Sequence, residues 1–157
     1  MNKFFIAILL SLCCSLPSCQ KAQVTLDSSA MEQKLQTLYK SYCHNYDDAE
    51  FVNNLISENC TPELGAILLE DVNGGSGYDF LTDGRYDYEQ IASSVSVEVQ
   101  DQYCKVSFLS AKNLSKDLEK VSLNIYFNSE GKISHIKRIS DQYVIPENIP
   151  IENVTFK

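Results

Sequence analysis

Apolar residues in this chain repeat with one period up to Val72 and with another from Val95 onward. Met31, Leu35, Leu38, Tyr39 and Tyr42 recur at helical spacing and form one stripe. Ser29 and Glu32 have capping-box spacing, which predicts a first helix from Ser29 to about Cys43. Asn45 or Asp47 can cap a second helix that buries Phe51, Val52, Leu55 and Ile56 and stops near Asn59. Thr61-Pro62-Glu63 starts a third: the hydroxyl caps, proline supplies a helical φ, and glutamate meets the positive end of the dipole. Leu64, Ile67, Leu68 and Val72 form its buried stripe, and Gly74-Gly75 ends it. A long acidic and aromatic loop, 73–90, follows.

Beyond the loop the period is two. Val95, Val97 and Val99 alternate with polar residues, as do Cys104, Val106 and Phe108, then Val121, Leu123, Ile125 and Phe127. Asn128-Ser129-Glu130-Gly131 predicts a tight hairpin into a fourth strand, Ile133 to Ile139. Helices followed by alternating strands indicate α+β: three N-terminal helices packed on a curved antiparallel sheet of about four strands. A first helix lying across such a sheet leaves a cone between them. The domain is expected over 29–141, with 142–157 as an extended tail carrying Pro146 and Pro150.

The N-terminus changes the picture from fold to address. Lys3 and the apolar run Phe4 to Leu12 suit a signal peptide. The run is short of the roughly 20 residues that span a bilayer. Leu16-Pro17-Ser18-Cys19 reads as a lipobox, so cleavage leaves Cys19 lipid-modified at the head of the mature protein. Leu12 and Cys13 are poor cleavage residues before the rival cysteines Cys13 and Cys14. Residues 1–18 are thus read as signal peptide and 19–28 as a lipidated tether. An ordinary cleaved signal peptide or a retained helix is the alternative. No acidic run follows Cys19, which favours a periplasm-facing position over the cell surface.

Net charge is −8, with no basic stripe, which argues against a nucleic-acid partner. An exported compartment permits disulfides. Cys43 and Cys60, near the ends of neighbouring predicted helices, are the preferred pair, and Cys104 alternates inward as a buried thiol. All three reduced and buried is the alternative. His44 beside Cys43 does not make a catalytic pair, because adjacent helical residues point about 100° apart.

Several landmarks occur in order: Tyr39-Lys40-Ser41-Tyr42, Asn59-Cys60-Thr61-Pro62-Glu63-Leu64, Tyr78-Asp79-Phe80-Leu81, Tyr103-Cys104-Lys105-Val106-Ser107 and Gly131-Lys132-Ile133-Ser134-His135-Ile136. Together they resemble a family of small bacterial lipoproteins with a nuclear-transport-factor-two-like fold, also called cystatin-like. The resemblance covers about residues 30–140. It implies the cone fold and an exported location, and it implies no activity. The family's loop often carries aspartate-proline before an aromatic, whereas Phe80 follows Asp79 directly here. The wider superfamily hosts enzymes, ligand binders and interaction modules, so fold alone does not choose among them.

Asp71 to Asp79 places oxygen ligands among glycines, a pattern that calcium uses. Thr82 stands where the bidentate glutamate belongs and Gly75 where a third ligand belongs, so no metal or cofactor is expected. Tyr78, Asp79, Asp83, Tyr86, Asp87 and His135 are the candidate ligand or partner contacts. An enzyme of the superfamily type requires an aspartate and His135 to converge in the cone. Without a catalytic constellation, the expected function is a non-enzymatic, membrane-anchored interaction module with an envelope protein partner. Small-molecule binding in the cone is the alternative.

Overall fold

The computed structural model describes residues 24–72, 78–111 and 117–157. Cys19, the signal peptide and the Gly-rich part of the calcium-like loop lie outside them. Among the described residues no helix is long and apolar enough to cross a membrane.

Four helices are described. α1 (Ser28–His44) starts at Asp27, whose carboxylate accepts from the Ala30 N–H at 2.7 Å. Its buried face carries Leu35, Leu38, Tyr39, Tyr42 and Cys43. α2 (Ala49–Asn59) is capped by Asp48 and buries Val52 and Ile56. α3 (Pro62–Val72) opens at Pro62, and Leu64 and Leu68 are buried. The caps of α1 and α2 thus fall on Asp27 and Asp48 instead of Ser29 and Asn45 or Asp47. α4 (Tyr88–Ser94) emerges from the end of the expected loop and buries Ile91 and Ala92.

Among the described residues the main sheet has five strands, one more than the alternation suggested. β2 (Ser96–Val99), β3 (Cys104–Ala111), β4 (Leu118–Phe127), β5 (Ile133–Arg138) and β6 (Val144–Ile145) run in sequence order, each antiparallel to its neighbour. Register places Val106 opposite Leu123 and Ile125 opposite Ile136, so one face is continuously apolar. α1 packs on β2, β3 and α4, and α3 packs on β5. Between them Tyr39, Phe108, Phe127, Leu123 and Ile136 are fully buried. Burying a side chain of this size contributes about 1.5–3 kcal/mol. The architecture is α+β with helices on one face of an antiparallel sheet.

The β4–β5 turn needs its glycine: Gly131 has φ +74, and the Asn128 side chain accepts from the Glu130 and Lys132 N–H groups. A bulge between Tyr126 and Phe127 shifts the register, pairing Tyr126 with His135 and Phe127 with Ile133. Ile133 and Ile136 therefore both face the core, while His135 goes to the other face of the sheet.

The segments read as tether and tail carry strands. β1 (Val24–Leu26) and β7 (Val154–Phe156) pair in parallel. Ser28 N–H donates to the Lys157 carbonyl at 2.9 Å, and Phe156 meets Phe127 edge-on. The ribbon thus sits at the N-terminal end of α1.

Candidate functional site

The far end of α1 carries Tyr42, with Tyr46 just beyond the helix. The segment from Tyr78 to Asp87 folds against this end and leads into α4. A tight turn shapes it: Asp83 and Gly84 have φ +54 and +69. Gly84 N–H donates to the Asp79 carbonyl at 2.7 Å. A side chain at Gly84 has no room, since a Cβ there lies 2.8 Å from the Tyr78 ring.

Asp79 is the centre of this segment. Its Oδ1 accepts from the Leu81 N–H at 2.9 Å and the Thr82 N–H at 3.2 Å. Its Oδ2 accepts from the Tyr42 hydroxyl at 2.8 Å and the Tyr88 hydroxyl at 3.2 Å. One carboxylate thereby joins α1, the loop and α4. Burial pushes the carboxyl above its ordinary value of 3.8, and hydrogen bonds, those from Thr82 and Tyr42 foremost, pull partly in the other direction. The Tyr42 and Tyr88 hydroxyls are held well above the ordinary tyrosine range, first by burial and then by the Asp79 charge, so both stay protonated donors.

Beside Asp79 lies a cavity of about 180 Å³. Tyr42, Tyr46, Tyr78, Phe80, Tyr86 and Tyr88 supply aromatic walls. Ile56, Leu68 and Leu81 close it on the core side. The Tyr88 ring meets Tyr42 at 74° and Tyr86 at 77°, and stacks on Tyr46 with centroids 4.0 Å apart. Tyr46 and Tyr86 are 50 % and 61 % exposed. Among the described residues no lysine, arginine or histidine lines the cavity or pairs with Asp79.

Two arginines near this segment are engaged elsewhere: Arg85 pairs with Glu119 at 3.3 Å and donates to the Ala111 carbonyl at 3.1 Å. Arg138, opposite Leu123, stands on the helix-covered face at the end of β5. It donates to the Tyr78 hydroxyl at 2.6 Å, pairs with Asp141, and lies 3.7 Å from Asp83. Its guanidinium sits over the rings of Tyr78 and Tyr143. Asp83 in turn accepts from the Tyr78 hydroxyl at 2.5 Å. Arg138 and Asp83 thus hold the Tyr78 wall of the cavity, and burial, with the bond to Asp83, pushes the Tyr78 hydroxyl up to about 12.

Of the residues singled out in the sequence, Tyr78, Asp79 and Tyr86 line one cavity. Asp83 supports it from behind. Asp87 instead caps α4, accepting from the Gln90 N–H. His135 is 1 % exposed on the opposite face of the sheet, with its ring nitrogens against Ser134 Oγ and the Ile149 carbonyl. An aspartate–His135 pair in the cavity does not form. Cys43 and Cys60 are free buried thiols, as is Cys104. The expected Cys43–Cys60 bridge is not formed among the described residues. Tyr42, Tyr46 and Arg138 were not foreseen as site residues. The signal for Tyr42 was a hydroxyl at the end of a buried stripe, which needs a partner.

No family model, curated protein or solved structure matches this chain.

Proposed function

We propose that this protein is an exported, lipid-anchored binding protein that holds a small organic cation in the cavity around Asp79. One observation carries the reading: a desolvated carboxylate, walled by aromatic rings, has no counter-charge among the described residues. An ionised carboxylate withdrawn from water is costly unless it is paired. Four hydrogen bonds offset part of that cost, and burial still raises the carboxyl. A cation in the cavity offsets the remainder. Aromatic faces attract it further, by about 0.5–1 kcal/mol at exposed sites and about 2 kcal/mol when desolvated.

Size narrows the ligand. The cavity, about 180 Å³, is below the roughly 300–1,000 Å³ of drug-sized sites. It exceeds the roughly 150 Å³ that accommodates benzene. An alkylammonium group of similar bulk fits.

The address rests on the lipobox at Cys19, on the lipoprotein resemblance and on reading the helix-covered sheet as a cystatin-like cone. The few residues from Cys19 to Val24 reach at most roughly 17 Å. α1, 17 residues long and so about 25 Å, carries the pocket at its far end. The pocket thus lies at the end of α1 away from the anchored N-terminus.

Thermal unfolding with choline and with its neutral isostere, in which carbon replaces nitrogen, tests the reading. A ligand at a hundredfold its Kd stabilises by about 2.7 kcal/mol. Choline raises the melting temperature and the isostere does not. Equal shifts, or none, reject the proposal.

A second reading rests on the exposure of Tyr46 and Tyr86 at the rim of the cavity. Aromatic residues anchor interfaces, so an envelope protein that presents the cation is the alternative occupant. Pull-down from detergent-solubilised membranes tests it; repeated recovery of the protein alone counts against it.

A further inference from the structure

We propose that the pocket selects fully alkylated ammonium groups over primary ones. The inference rests on the cation-binding reading and deepens it. A carboxylate offers about four lone-pair sites. At Asp79 all four are taken, two by the Leu81 and Thr82 N–H groups and two by the Tyr42 and Tyr88 hydroxyls. The donors are fixed by structure: the N–H pair by the turn that Gly84 closes, and the hydroxyls by α1 and α4.

A primary ammonium carries three N–H donors that lose water on entering the cavity. The Asp79 carboxylate has no lone pair left for them. The acceptors left are neutral phenol oxygens, those of Tyr42 and Tyr88 and of the wall residues Tyr46, Tyr78 and Tyr86, which are weaker partners for a charged donor than the carboxylate. An unmet buried donor is costly, more so when charged. A quaternary ammonium has no donor to satisfy. It needs a negative charge at short range and ring faces around it, and this cavity supplies both.

Calorimetric titration of the purified mature protein with choline and with ethanolamine tests the selectivity, because the two differ only in three N-methyl groups. Choline is expected to bind at least tenfold more tightly. Tyr42→Phe frees one lone pair on Asp79 and narrows the ratio several-fold in favour of ethanolamine. Binding of ethanolamine as tight as choline overturns the selectivity and leaves the cation reading standing. Binding of neither overturns both. A ratio unchanged in Tyr42→Phe, with the protein still folded by circular dichroism, overturns the lone-pair argument. A parallel arm with vesicles bearing choline headgroups assigns the source: retention on them identifies a lipid headgroup, and binding of free choline alone identifies a soluble ligand.

Discussion

The Tyr42 hydroxyl donates to Oδ2 of Asp79 across 2.8 Å, joining two residues 37 apart in sequence. Tyr88, opening α4, donates to the same oxygen at 3.2 Å. A helix end, a loop and a short helix thus converge on one charge. That convergence creates the cavity and defines its chemistry.

Tyr39 and Tyr42 lie on the same buried face of α1, yet their hydroxyls differ. Tyr39 is fully buried against Phe108, and its hydroxyl has no hydrogen-bond partner among the described residues. Tyr42 holds Asp79. A hydrogen bond to a charged group contributes about 1.5–3 kcal/mol, whereas deleting an unsatisfied hydroxyl costs about nothing. Urea denaturation of Tyr42→Phe should show a loss of about 2 kcal/mol, with Tyr39→Phe unchanged or slightly more stable. Equal losses contradict the assignment.

Asp79 makes stability depend on pH in a direction opposite to most carboxylates. Its folded value is raised above 3.8, so the folded protein binds that proton more readily than the unfolded chain. Its penalty is absent below 3.8, grows as pH rises from 3.8 through the folded value, and is complete above it. Asp79→Asn removes the penalty. The amide oxygen keeps the two N–H bonds, and its NH₂ donates to hydroxyls that turn to accept. The variant should be at least as stable as the wild type at pH 7, with the difference closing as pH falls toward 3.8. Asp141, lowered by the Tyr143 N–H and by Arg138, acts in the opposite sense: its contribution is present above 3.8 and lost as pH falls through its folded value. It is unchanged in the variant, so the difference curve isolates Asp79. A less stable variant at pH 7 contradicts this account.

Most of the fold was legible because it is written in local periods. The stripe on α1 and the alternation of β3 and β4 each state which face is buried, and their order gives α+β. What escaped has no local period. α4 is only seven residues long, although Asp87 and Gln90 have the spacing of a cap and its N3 partner. The face of His135 depends on one bulge, which the hydrophobic pattern does not announce. β1 and β7 are three residues each and pair across the whole domain. The site was half legible: acidic and aromatic residues marked the 78–88 segment, while Tyr42 read as core because its partner lies far along the chain.

Gly84 is a further test of the cavity wall. At φ +69 an alanine is strained, and its Cβ meets the Tyr78 ring at 2.8 Å. Gly84→Ala should cost about 1–2 kcal/mol for the left-handed backbone alone. Displacement of Tyr78 should also weaken ligand binding and raise hydrogen exchange across 78–87. A neutral substitution contradicts the turn geometry.

Cys43, Cys60 and Cys104 are buried, and burial pushes each thiol up to about 12. Thiolate is the reactive form. The folded protein should therefore leave all three unmodified by a disulfide reagent at pH 8, and urea should expose all three. Rapid modification of the folded protein, or a Cys43–Cys60 disulfide peptide in non-reducing mass spectrometry, contradicts this.

In the proposed function the Asp79 charge holds a cation among the tyrosine rings. Five of the chain's nine tyrosines line the cavity and there is no tryptophan, so a ligand there changes tyrosine emission. Titration of wild type and Asp79→Asn with tetramethylammonium chloride, at constant ionic strength, is the most direct measurement. Saturable binding by the wild type, weakened at least tenfold in a folded Asp79→Asn, is the predicted result. No saturable binding by the wild type, or equal affinity in the two proteins, contradicts the account.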